Sequence, residues 1–247
     1  MSDDVDVPES HPRYESLLTR HRIEAGVDMG ITSRQGLIAQ GRGEAYDYLL
    51  GEETIESADR AERAAAAYLL SADHAVISVN GNAAALVPGE LVELSEAAGA
   101  DLEVNLFNRT EERIERIADY LREHGAEAVK GSTADGRIPG LDHERAKVDA
   151  DGIGDADVVL VPLEDGDRAE ALGEMGKTEL VVDLNPLSRS AQVAAVPVVD
   201  NIIRAVPNIT EHARDLRGDP DAQRAAIDSF DASTALTDAE AAIRGGA

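Results

Sequence analysis

Residues 179–209 hold the side chains of this sequence that are best suited to binding a charged ligand. Two apolar segments in this stretch, 180–184 and 196–199, are predicted to be buried strands, and each ends in polar residues. Open α/β sheets bind ligands at the carboxyl ends of their strands, so these polar residues are expected at a ligand site. They offer carboxylate, amide, hydroxyl and guanidinium groups from Asp183, Asn185, Ser188, Arg189, Ser190, Asp200 and Asn201. The combination predicts a nucleotide-binding site, although any phosphate ligand would fit it.

Three arginines early in the chain could supply positive charge to such a site. Arg13 and Arg20 share one face of a helix that is predicted to open near Ser10, although a pair of solvated charges would look the same. Arg42 lies between two glycines, which let a ligand approach the backbone closely, and its guanidinium can bind phosphate oxygens in a bidentate manner. A turn between two helices is the alternative interpretation of that motif.

Acidic and amide side chains follow two other predicted strands. Asp165 and Asp167 could bind Mg²⁺ through oxygen and water, or they could be solvated turn residues. Asn80 and Asn82 could orient a substrate, or they could hydrogen-bond the turn that contains them. The six histidines show neither an HExxH motif nor a pair at helical metal spacing, so a zinc site is not expected.

The elements that must position these residues are predicted from the alternation of apolar and amphipathic segments. Strands are expected at 75–79, 102–107, 157–163, 180–184 and 196–199, and a short segment at 126–130 could add an edge strand. Helices are expected at 88–98 and 110–124. Another helix is expected after the strand at 157–163 and should end at Met175, and a last one is expected from Pro207 to about 216. Strands that alternate with helices predict an α/β fold, in which a parallel sheet carries helices on both faces.

The chain is expected to divide into four parts. An acidic disordered tail (1–10) precedes an N-terminal helical segment (11–72), an α/β core (73–217) and an acidic, Ala-rich C-terminal tail (218–247). In the helical segment, Ser33 is predicted to cap a helix that ends at Gly41, and another helix is expected at 56–70. The C-terminal tail is predicted to be helical and only loosely attached to the core.

The composition limits the partners and the cellular compartment. A formal net charge of −26 argues against nucleic acid and anionic membranes as partners, because both repel so acidic a surface. It favours a protein from a salt-rich cytoplasm, where a Debye length of about 3 Å at 1 M salt removes the self-repulsion. The start of the chain has no apolar run, and no segment approaches the roughly 18 apolar residues that span a bilayer. A soluble cytoplasmic protein is therefore expected.

Two motifs imitate other nucleotide sites. The predicted strand at 75–79, followed by Asn108-Arg109-Thr110 after the next strand, resembles an NADP-binding half, in which the arginine holds the 2′-phosphate. The glycine fingerprint of such a site is missing, because only Gly81 follows the first strand. Gly176-Lys177-Thr178 resembles the end of a P-loop, but it follows a helix and precedes a strand, which is the reverse of the required order.

Eight sequence blocks together resemble one family over roughly residues 11–217. They are HPRYESLLTR, GLIAQGRGEAYDYLLGE, HAVISVNGNAAALVP, NLFNRTEER, RIPGLDHERAKVD, ADVVLVPLEDGDRAEAL, VVDLNPLSRSA and VVDNIIRA. Their content and order resemble archaeal 4-phosphopantoate–β-alanine ligase, also called phosphopantothenate synthetase. One departure is Gln40, where the family pattern is expected to have a histidine.

The resemblance implies an ATP-dependent ligase of coenzyme A biosynthesis. In this family, ATP activates the carboxylate of 4-phosphopantoate as an acyl-adenylate with release of diphosphate. The β-alanine amine then displaces AMP and gives 4-phosphopantothenate. The resemblance further implies a Rossmann-like core, a homodimer, and ATP as a substrate with Mg²⁺ expected beside it.

The same resemblance implies which residues bind the substrates. It assigns ATP contacts to Arg20, Arg42, Asp183, Leu184, Asn185, Arg189, Ser190, Asn201 and Ile202. As a hypothesis, 4-phosphopantoate faces Arg13, Asn80, Asn82 and Arg145. No catalytic base is assigned, because the carboxylate of the substrate is itself the nucleophile. An NADP-dependent reductase and a non-catalytic nucleotide-binding protein are the alternative functions.

Overall fold

Seven strands and eleven α-helices make up the fold in the computed structural model, which describes residues 8, 10–11, 13–162 and 166–245. The strands are β1 (Ala75–Val79), β2 (Asp101–Val104), β3 (Gly136–Arg137), β4 (Lys147–Val148), β5 (Val158–Pro162), β6 (Thr178–Val182) and β7 (Val196–Val198). The helices are α1 (Tyr14–Asp28), α2 (Arg34–Leu50), α3 (Glu56–Ser71), α4 (Gly81–Leu86), α5 (Pro88–Ala98), α6 (Glu111–Glu123), α7 (Gly166–Glu174), α8 (Arg189–Val193), α9 (Ile202–Leu216), α10 (Pro220–Ser229) and α11 (Ala232–Gly245).

Five of the strands form one parallel sheet in the order β2-β1-β5-β6-β7. Numbered along the chain, these five strands lie in the order 2-1-3-4-5, which is one of the two common doubly wound arrangements. The chain reverses direction across the sheet between β1 and β5. The expectation of a Rossmann-like α/β fold is therefore confirmed, and the strand order places a crevice at the carboxyl ends of these two strands.

Both faces of the sheet are covered, because alternate strand residues enter different cores. On one face, Ile77 and Leu160 belong to the large core that includes the buried sides of α3, α5, α6 and α9. On the other face, Val76 and Val159 pack with Ile138 and with residues of α7. The predicted irregular region 131–154 supplies much of this second layer. It contains the short antiparallel pair of β3 and β4, whereas the edge strand suggested at 126–130 is reduced to a single bridge between residues 103 and 130.

Three helix boundaries differ from those predicted. α1 begins at Tyr14 rather than near Ser10, and α2 continues through Gly41 to Leu50. The three glycines within α2, Gly36, Gly41 and Gly43, cost about 1 kcal/mol each relative to alanine, but tertiary packing overrides that preference. The glycine that does end α2 is Gly51, whose φ of 94° is a left-handed helix cap.

The third difference concerns α9, which begins at Ile202 rather than after Pro207. The Asn201 side chain accepts a hydrogen bond from the backbone N–H of Ile203 and so caps the helix before the proline is reached. Pro207 lies inside the helix, where it removes one backbone donor. Packing of α9 against α3 and α5 outweighs that loss.

The C-terminal region is packed, and the expectation of a loosely attached tail is wrong. α10 and α11 both contact α3, and α11 also contacts α2 and β7. Ala235 and Ala239 are four residues apart on one side of α11, and both are buried together with Leu236. Small side chains at this spacing let α11 approach its neighbours closely. The boundaries predicted between the four parts of the chain stay predictions.

Within the described residues, the structure has no helix whose length and apolar character would let it cross a bilayer.

Candidate active site

Helix α2 lies along the carboxyl edge of the sheet. Its successive turns contact the segments that follow β1, β6 and β7, at Asn82, Leu184 and Asn201 respectively. The residues predicted to bind substrates therefore fall into three groups along one helix. Sequence reasoning missed this arrangement because it ended the helix at Gly41.

The first group surrounds a cavity of about 280 Å³ at the end of β1. This arginine cavity is lined by Arg42, Asn80, Asn82, Phe107, Arg113 and Arg145, among others. The structure thus brings together three of the four residues predicted to face 4-phosphopantoate with one of those predicted to bind ATP. No Asp or Glu is present among its described lining residues, although the chain as a whole contains 49 acidic residues.

The two asparagines of this cavity hold the turn after β1. Asn80 Oδ1 accepts hydrogen bonds from the backbone N–H groups of Asn82 and Ala83, each at 3.0 Å. Asn80 Nδ2 donates to the Pro162 carbonyl at 2.6 Å and so ties the end of β1 to the end of β5. Asn82 Nδ2 donates to the Gly36 carbonyl at 3.0 Å, which fixes α2 against the same turn. Both side chains shape the cavity, and their contact with a substrate stays a prediction.

Arg145 is buried beside β2. Its Nε donates to Asn105 Oδ1 at 3.2 Å, and Asn105 Nδ2 donates in return to the carbonyls of Arg145 and Lys147, at 3.2 and 2.9 Å. Asn105 follows the last residue of β2, so the sheet itself positions this guanidinium. The sequence gives no sign of the Asn105 contact, because the two residues lie 40 positions apart.

Arg113 is a further residue of this cavity, and sequence reasoning missed it. Its Nε donates to the Ile31 carbonyl at 3.0 Å, and its Nη1 donates to the Asn108 carbonyl at 3.4 Å. Burial lowers the pKa of the Arg113 guanidinium below its ordinary value. In the sequence Arg113 follows two glutamates near the start of a helix, which is the pattern of a solvated charge. The one available signal was its position at the end of the block NLFNRTEER.

The second group lies at the end of β6, next to α2. Asp183 Oδ1 accepts a hydrogen bond from the Asn185 backbone N–H at 3.0 Å. Burial raises the pKa of the Asp183 carboxyl above its ordinary value, and hydrogen bonds from Ser188 and Asn185 together with the positive charge of Arg42 offset this only in part. Arg42 thus lines the arginine cavity and also acts electrostatically on Asp183. Arg42 therefore connects the first group to the second.

Gly43 has a packing role, and the close approach of a ligand predicted for the glycines beside Arg42 stays a prediction. A Cβ at position 43 would lie 3.3 Å from Leu184 Cδ1, so glycine lets α2 lie close to the end of β6. Leu184 is buried in a small core with Leu50 and Leu236. Any contact of Leu184 with ATP would therefore involve its backbone.

Arg189 and Ser190 begin α8, which Ser188 caps by accepting a hydrogen bond from the Ala191 backbone N–H. The Arg189 side chain is 57% exposed, and its Nε pairs with Glu170 Oε1 at 3.0 Å. Ser190 is buried. The Arg189 guanidinium is therefore exposed to solvent and pairs with α7, and its contact with ATP stays a prediction.

Asn201 and Ile202 stand at the start of α9, where a buried ionic network fixes them. Asn201 Nδ2 donates to Asp47 Oδ2 at 2.6 Å. Arg204, one turn into α9, pairs with Asp47 at 2.5 Å and with Asp200 at 2.6 Å. Although burial lowers it, hydrogen bonds to these two carboxylates raise the pKa of the Arg204 guanidinium.

The third group, near the end of β7, contains Asn201 and Ile202 together with Arg13 and Arg20 on α1 and its N-terminal flank. Arg20 Nε donates to both carboxylate oxygens of Glu44, at 2.9 and 3.0 Å, and Arg13 Nη2 lies 3.5 Å from Glu44 Oε1. Burial raises the pKa of Glu44, but the hydrogen bonds from Arg20 and Ser16 outweigh it and hold the pKa below its ordinary value. The two arginines lie on the same side of α1, as predicted, and in the structure both are ion-paired with Glu44.

Arg13 and Asn201 also border a second cavity, of about 330 Å³. This carboxylate cavity is lined by Arg13, Glu44, Asp47, Glu52, Asn201 and Arg204, among others. It lies between α1, α2 and the start of α9. Arg13 therefore lines a different cavity from Asn80, Asn82 and Arg145, with which it was grouped.

Two residues noted in the sequence have other partners in the structure. Asp167 lies 3.2 Å from His143 Nε2, and Asp165 lies outside the described residues, so the pair predicted for Mg²⁺ stays untested. The Arg109 side chain is 2% exposed and its Nε lies 3.2 Å from Glu111, which leaves little access for the 2′-phosphate of NADP.

A doubly wound sheet with arginine and amide groups at its carboxyl edge is typical of enzymes that bind nucleotides or phosphorylated substrates. Comparison with known protein families narrows this class of enzymes. A family model described as phosphopantothenate/pantothenate synthetase matches residues 57–246, so the chain belongs to that family. The match reaches beyond residue 217 and includes α10 and α11, which the sequence reasoning had placed outside the resemblance.

Curated archaeal relatives carry one name, 4-phosphopantoate–β-alanine ligase. The protein from Thermococcus kodakarensis is 59% identical over 214 residues, which is 86% of this chain and 82% of the relative. Those from Methanospirillum hungatei and Methanosarcina mazei are 56% and 55% identical over 213 residues, covering 86% of this chain and 87% and 84% of the relatives. The family resemblance read from the sequence blocks is confirmed.

Proposed function

We propose that this protein is an ATP-dependent ligase that condenses 4-phosphopantoate with β-alanine to 4-phosphopantothenate, in coenzyme A biosynthesis. The geometric observation that carries the proposal is the arginine cavity, joined through Arg42 to the predicted ATP residues beside Asp183. A cavity with three arginines and no described carboxylate suits a substrate that carries both a phosphate and a carboxylate. Relatives at 55–59% identity bear the name of this activity.

The reaction that we propose has two steps. A carboxylate oxygen of 4-phosphopantoate attacks the α-phosphorus of ATP, and the bond from that phosphorus to the diphosphate oxygen breaks. The nitrogen of β-alanine then attacks the acyl carbon, the bond to the AMP oxygen breaks, and the amine loses a proton. Because the substrates supply both nucleophiles, the protein has to align them and neutralise their charge. Mg²⁺ would enter with ATP as part of that substrate.

The residues of the second group support a division of labour. Arg42 is exposed and acts electrostatically on Asp183, and Arg189 is exposed at the start of α8, where it pairs with Glu170. In the proposed function both guanidiniums bind the triphosphate of ATP. Asp183 and Asn185 are better suited to hydrogen bonds with ribose or base than to contact with phosphate. Asn201, which caps α9, belongs to the same set of predicted ATP contacts.

Three predictions about the whole protein belong with this function. We propose that the protein is a homodimer, that it is cytoplasmic and that it is adapted to high salt. Exposed apolar side chains on α2, among them Ile38 and Tyr48, support a contact with a second copy of the chain. Light scattering at high salt would give twice the chain mass if the dimer proposal is right, and the single-chain mass if it is wrong.

Product analysis tests the proposed activity. In high salt, the protein incubated with 4-phosphopantoate, β-alanine and MgATP should form 4-phosphopantothenate and AMP in equal amounts. Formation of ADP instead would contradict adenylation and indicate an acyl phosphate. ATP binding without any product would favour a non-catalytic nucleotide-binding protein. Tight NADPH binding without ATP binding would favour the reductase, which neither the buried Arg109 nor the family membership supports.

A further inference from the structure

We propose that the arginine cavity is the subsite for the phosphate monoester of the acid substrate, and that Arg113 is its specificity-determining cation. The inference rests on the proposed function, and it adds a residue that neither the sequence reasoning nor the relatives' names assign. It makes Arg113 the group that distinguishes a phosphorylated hydroxy acid from the same acid without phosphate.

The first support is the set of partners that Arg113 has. A guanidinium carries five N–H donors, and Arg113 uses two of them, on the carbonyls of Ile31 and Asn108. No carboxylate of the described residues pairs with it. On the same helix, Arg116 Nη2 pairs with Glu112 at 2.6 Å and Arg122 Nη1 pairs with Asp119 at 2.7 Å. In a chain with 49 acidic residues, Arg113 therefore keeps donors available beside a cavity.

The second support is burial. Arg113 is half-buried, and its loss of hydration lowers the pKa of the guanidinium. Removing a cation from water without an anionic partner is unfavourable, so this arrangement costs stability in the free protein. A bound phosphate would offset that cost by supplying charge and acceptor oxygens.

The third support is the position of the guanidinium. A Cβ at residue 81 would lie within 2.6 Å of both Arg113 Nη2 and the Ile31 carbonyl oxygen. Glycine at this position therefore lets Nη2 lie over the backbone at the end of β1. Open doubly wound sheets bind ligands at this edge, where the order of the strands reverses between β1 and β5.

The chemistry of the lining identifies the ligand as a phosphate monoester. Arg42, Arg113 and Arg145 border the same cavity, and guanidinium forks match the oxygens of a phosphate better than a point charge does. The predicted ATP residues Asp183 and Asn201 lie after β6 and β7, on the far side of Arg42 from Arg113. The phosphate of the acid is therefore assigned to the Arg113 end, and its carboxylate points towards Arg42 and ATP.

The test compares Arg113→Gln with Arg116→Gln, which removes the same charge one turn further along α6. Steady-state rates in high salt are measured with 4-phosphopantoate and with pantoate, and the KM for ATP is measured in parallel. Arg113→Gln should lower kcat/KM for 4-phosphopantoate by about 10- to 100-fold, the usual effect of losing hydrogen bonds to a charged group. It should leave kcat/KM for pantoate and the KM for ATP unchanged, so the preference for the phosphorylated acid is lost.

Arg113→Lys keeps the charge without the fork and should restore part of the preference. It also provides a second variant if Arg113→Gln fails to fold, which the thermal unfolding midpoint reports. Arg116→Gln should behave as the unchanged protein does. An unchanged preference in Arg113→Gln, or a loss confined to ATP, would overturn the inference while leaving the ligase function intact.

Calorimetric binding of 4-phosphopantoate separates this inference from the proposed function. If the unchanged protein turns over neither acid but binds 4-phosphopantoate, and Arg113→Gln does not bind it, the subsite stands and the ligase proposal fails. Equal binding by both proteins overturns the subsite. Absence of binding by the unchanged protein overturns both proposals.

Discussion

The arginine cavity and the carboxylate cavity both border α2 and have similar volumes, about 280 and 330 Å³, yet they hold arginine differently. In the carboxylate cavity, Arg13 pairs with Glu44, and Arg204 pairs with Asp47 and Asp200. In the arginine cavity, neither Arg42 nor Arg113 donates a hydrogen bond to a described carboxylate. Residue type alone does not separate a structural arginine from one that can bind a ligand. The partner supplied by the rest of the chain separates them.

Helix α2 explains how one site can use both regions. Its residues approach the ends of β1, β6 and β7 in turn, so it holds the arginine cavity, Asp183 and Asn201 at fixed distances from one another. The ionic network of the carboxylate cavity anchors that helix through Asp47. We therefore interpret the carboxylate cavity as the support of the site and the arginine cavity as the binding surface.

The largest effect is expected from Arg204→Met, which removes the cation between Asp47 and Asp200. The Arg204 side chain is 15% exposed and those of its partners are 7% and 1%, so the variant leaves two buried carboxylates without a cation. The free energy of unfolding should fall by about 3–5 kcal/mol. Urea denaturation at fixed high salt measures it.

Arg214→Met is the matched control for this variant, because Arg214 lies on the same helix and pairs with Glu93 at the surface. Its effect should stay within about 1 kcal/mol. Equal and small effects of the two substitutions would break the distinction between a supporting and a binding arginine.

The next effect is expected from Arg42→Gln, on the other side of the comparison. Arg42 is exposed and makes no hydrogen bond to a described residue, so the free energy of unfolding should not change. The kcat/KM for ATP should fall by about 10- to 100-fold, because a hydrogen bond to a charged group is lost. Arg34→Gln, on the same helix but not among the residues that line the cavity, should have no effect. Unchanged ATP kinetics in Arg42→Gln would remove Arg42 from the site.

Glu62→Gln should change how stability depends on pH. Glu62 is fully buried and its Oε2 accepts a hydrogen bond from Asn208 at 3.0 Å. Burial, followed by the negative charge of Asp200, raises the pKa of Glu62 to about 9. The folded state therefore keeps a proton that the unfolded state releases, so this group makes stability fall as pH rises from about 5 to 9. Glutamine keeps a donor and an acceptor there but does not titrate.

The unfolding midpoint of Glu62→Gln should match that of the unchanged protein at pH 5 and exceed it increasingly towards pH 9. Calorimetry at constant salt measures the difference at each pH. Glu56→Gln, at the exposed end of the same helix, should show a difference that does not change with pH. A constant difference for Glu62→Gln would show that Glu62 does not carry the extra proton.

The smallest effect is expected from Glu44→Gln, which releases Arg13 and Arg20. Their side chains are 50% and 48% exposed, so the free energy of unfolding should change by less than about 1 kcal/mol. If Arg20 contacts ATP as predicted, loss of the competing carboxylate should tighten ATP binding by up to about five-fold. Equilibrium binding measures this, with Glu93→Gln as the control. An unchanged affinity would argue against the predicted ATP contact of Arg20.

The sequence was sufficient to predict the sheet and the strand ends that carry the site. Apolar runs bounded by polar turns gave β1 and β7 to within a residue, and the buried stripe Ile114, Ile117, Ala118 and Leu121 of α6 was identified from its periodicity. These features depend on local patterns of burial. The positions of Asp183, Asn185 and Asn201 just after strands could therefore be predicted as well.

Features that depend on long-range contacts could not be predicted. α2 continues through Gly43, where Leu184 packs against the helix, and the sequence near position 43 gives no sign of that contact. Arg20 and Arg113 look alike as isolated charges, but one faces Glu44 and the other faces backbone carbonyls. The C-terminal helices are Ala-rich and were taken for a loose tail, because small side chains carry little apolar signal until a partner surface covers them.

The proposed ligase activates its acid substrate by adenylation in this site. Isotope exchange between diphosphate and ATP measures that step alone, with 4-phosphopantoate present, β-alanine absent, and salt high. We predict exchange that requires 4-phosphopantoate, is much weaker with pantoate, and is strongly reduced by Arg113→Gln but not by Arg116→Gln. Exchange that is absent while the full reaction still yields 4-phosphopantothenate and ADP would contradict adenylation.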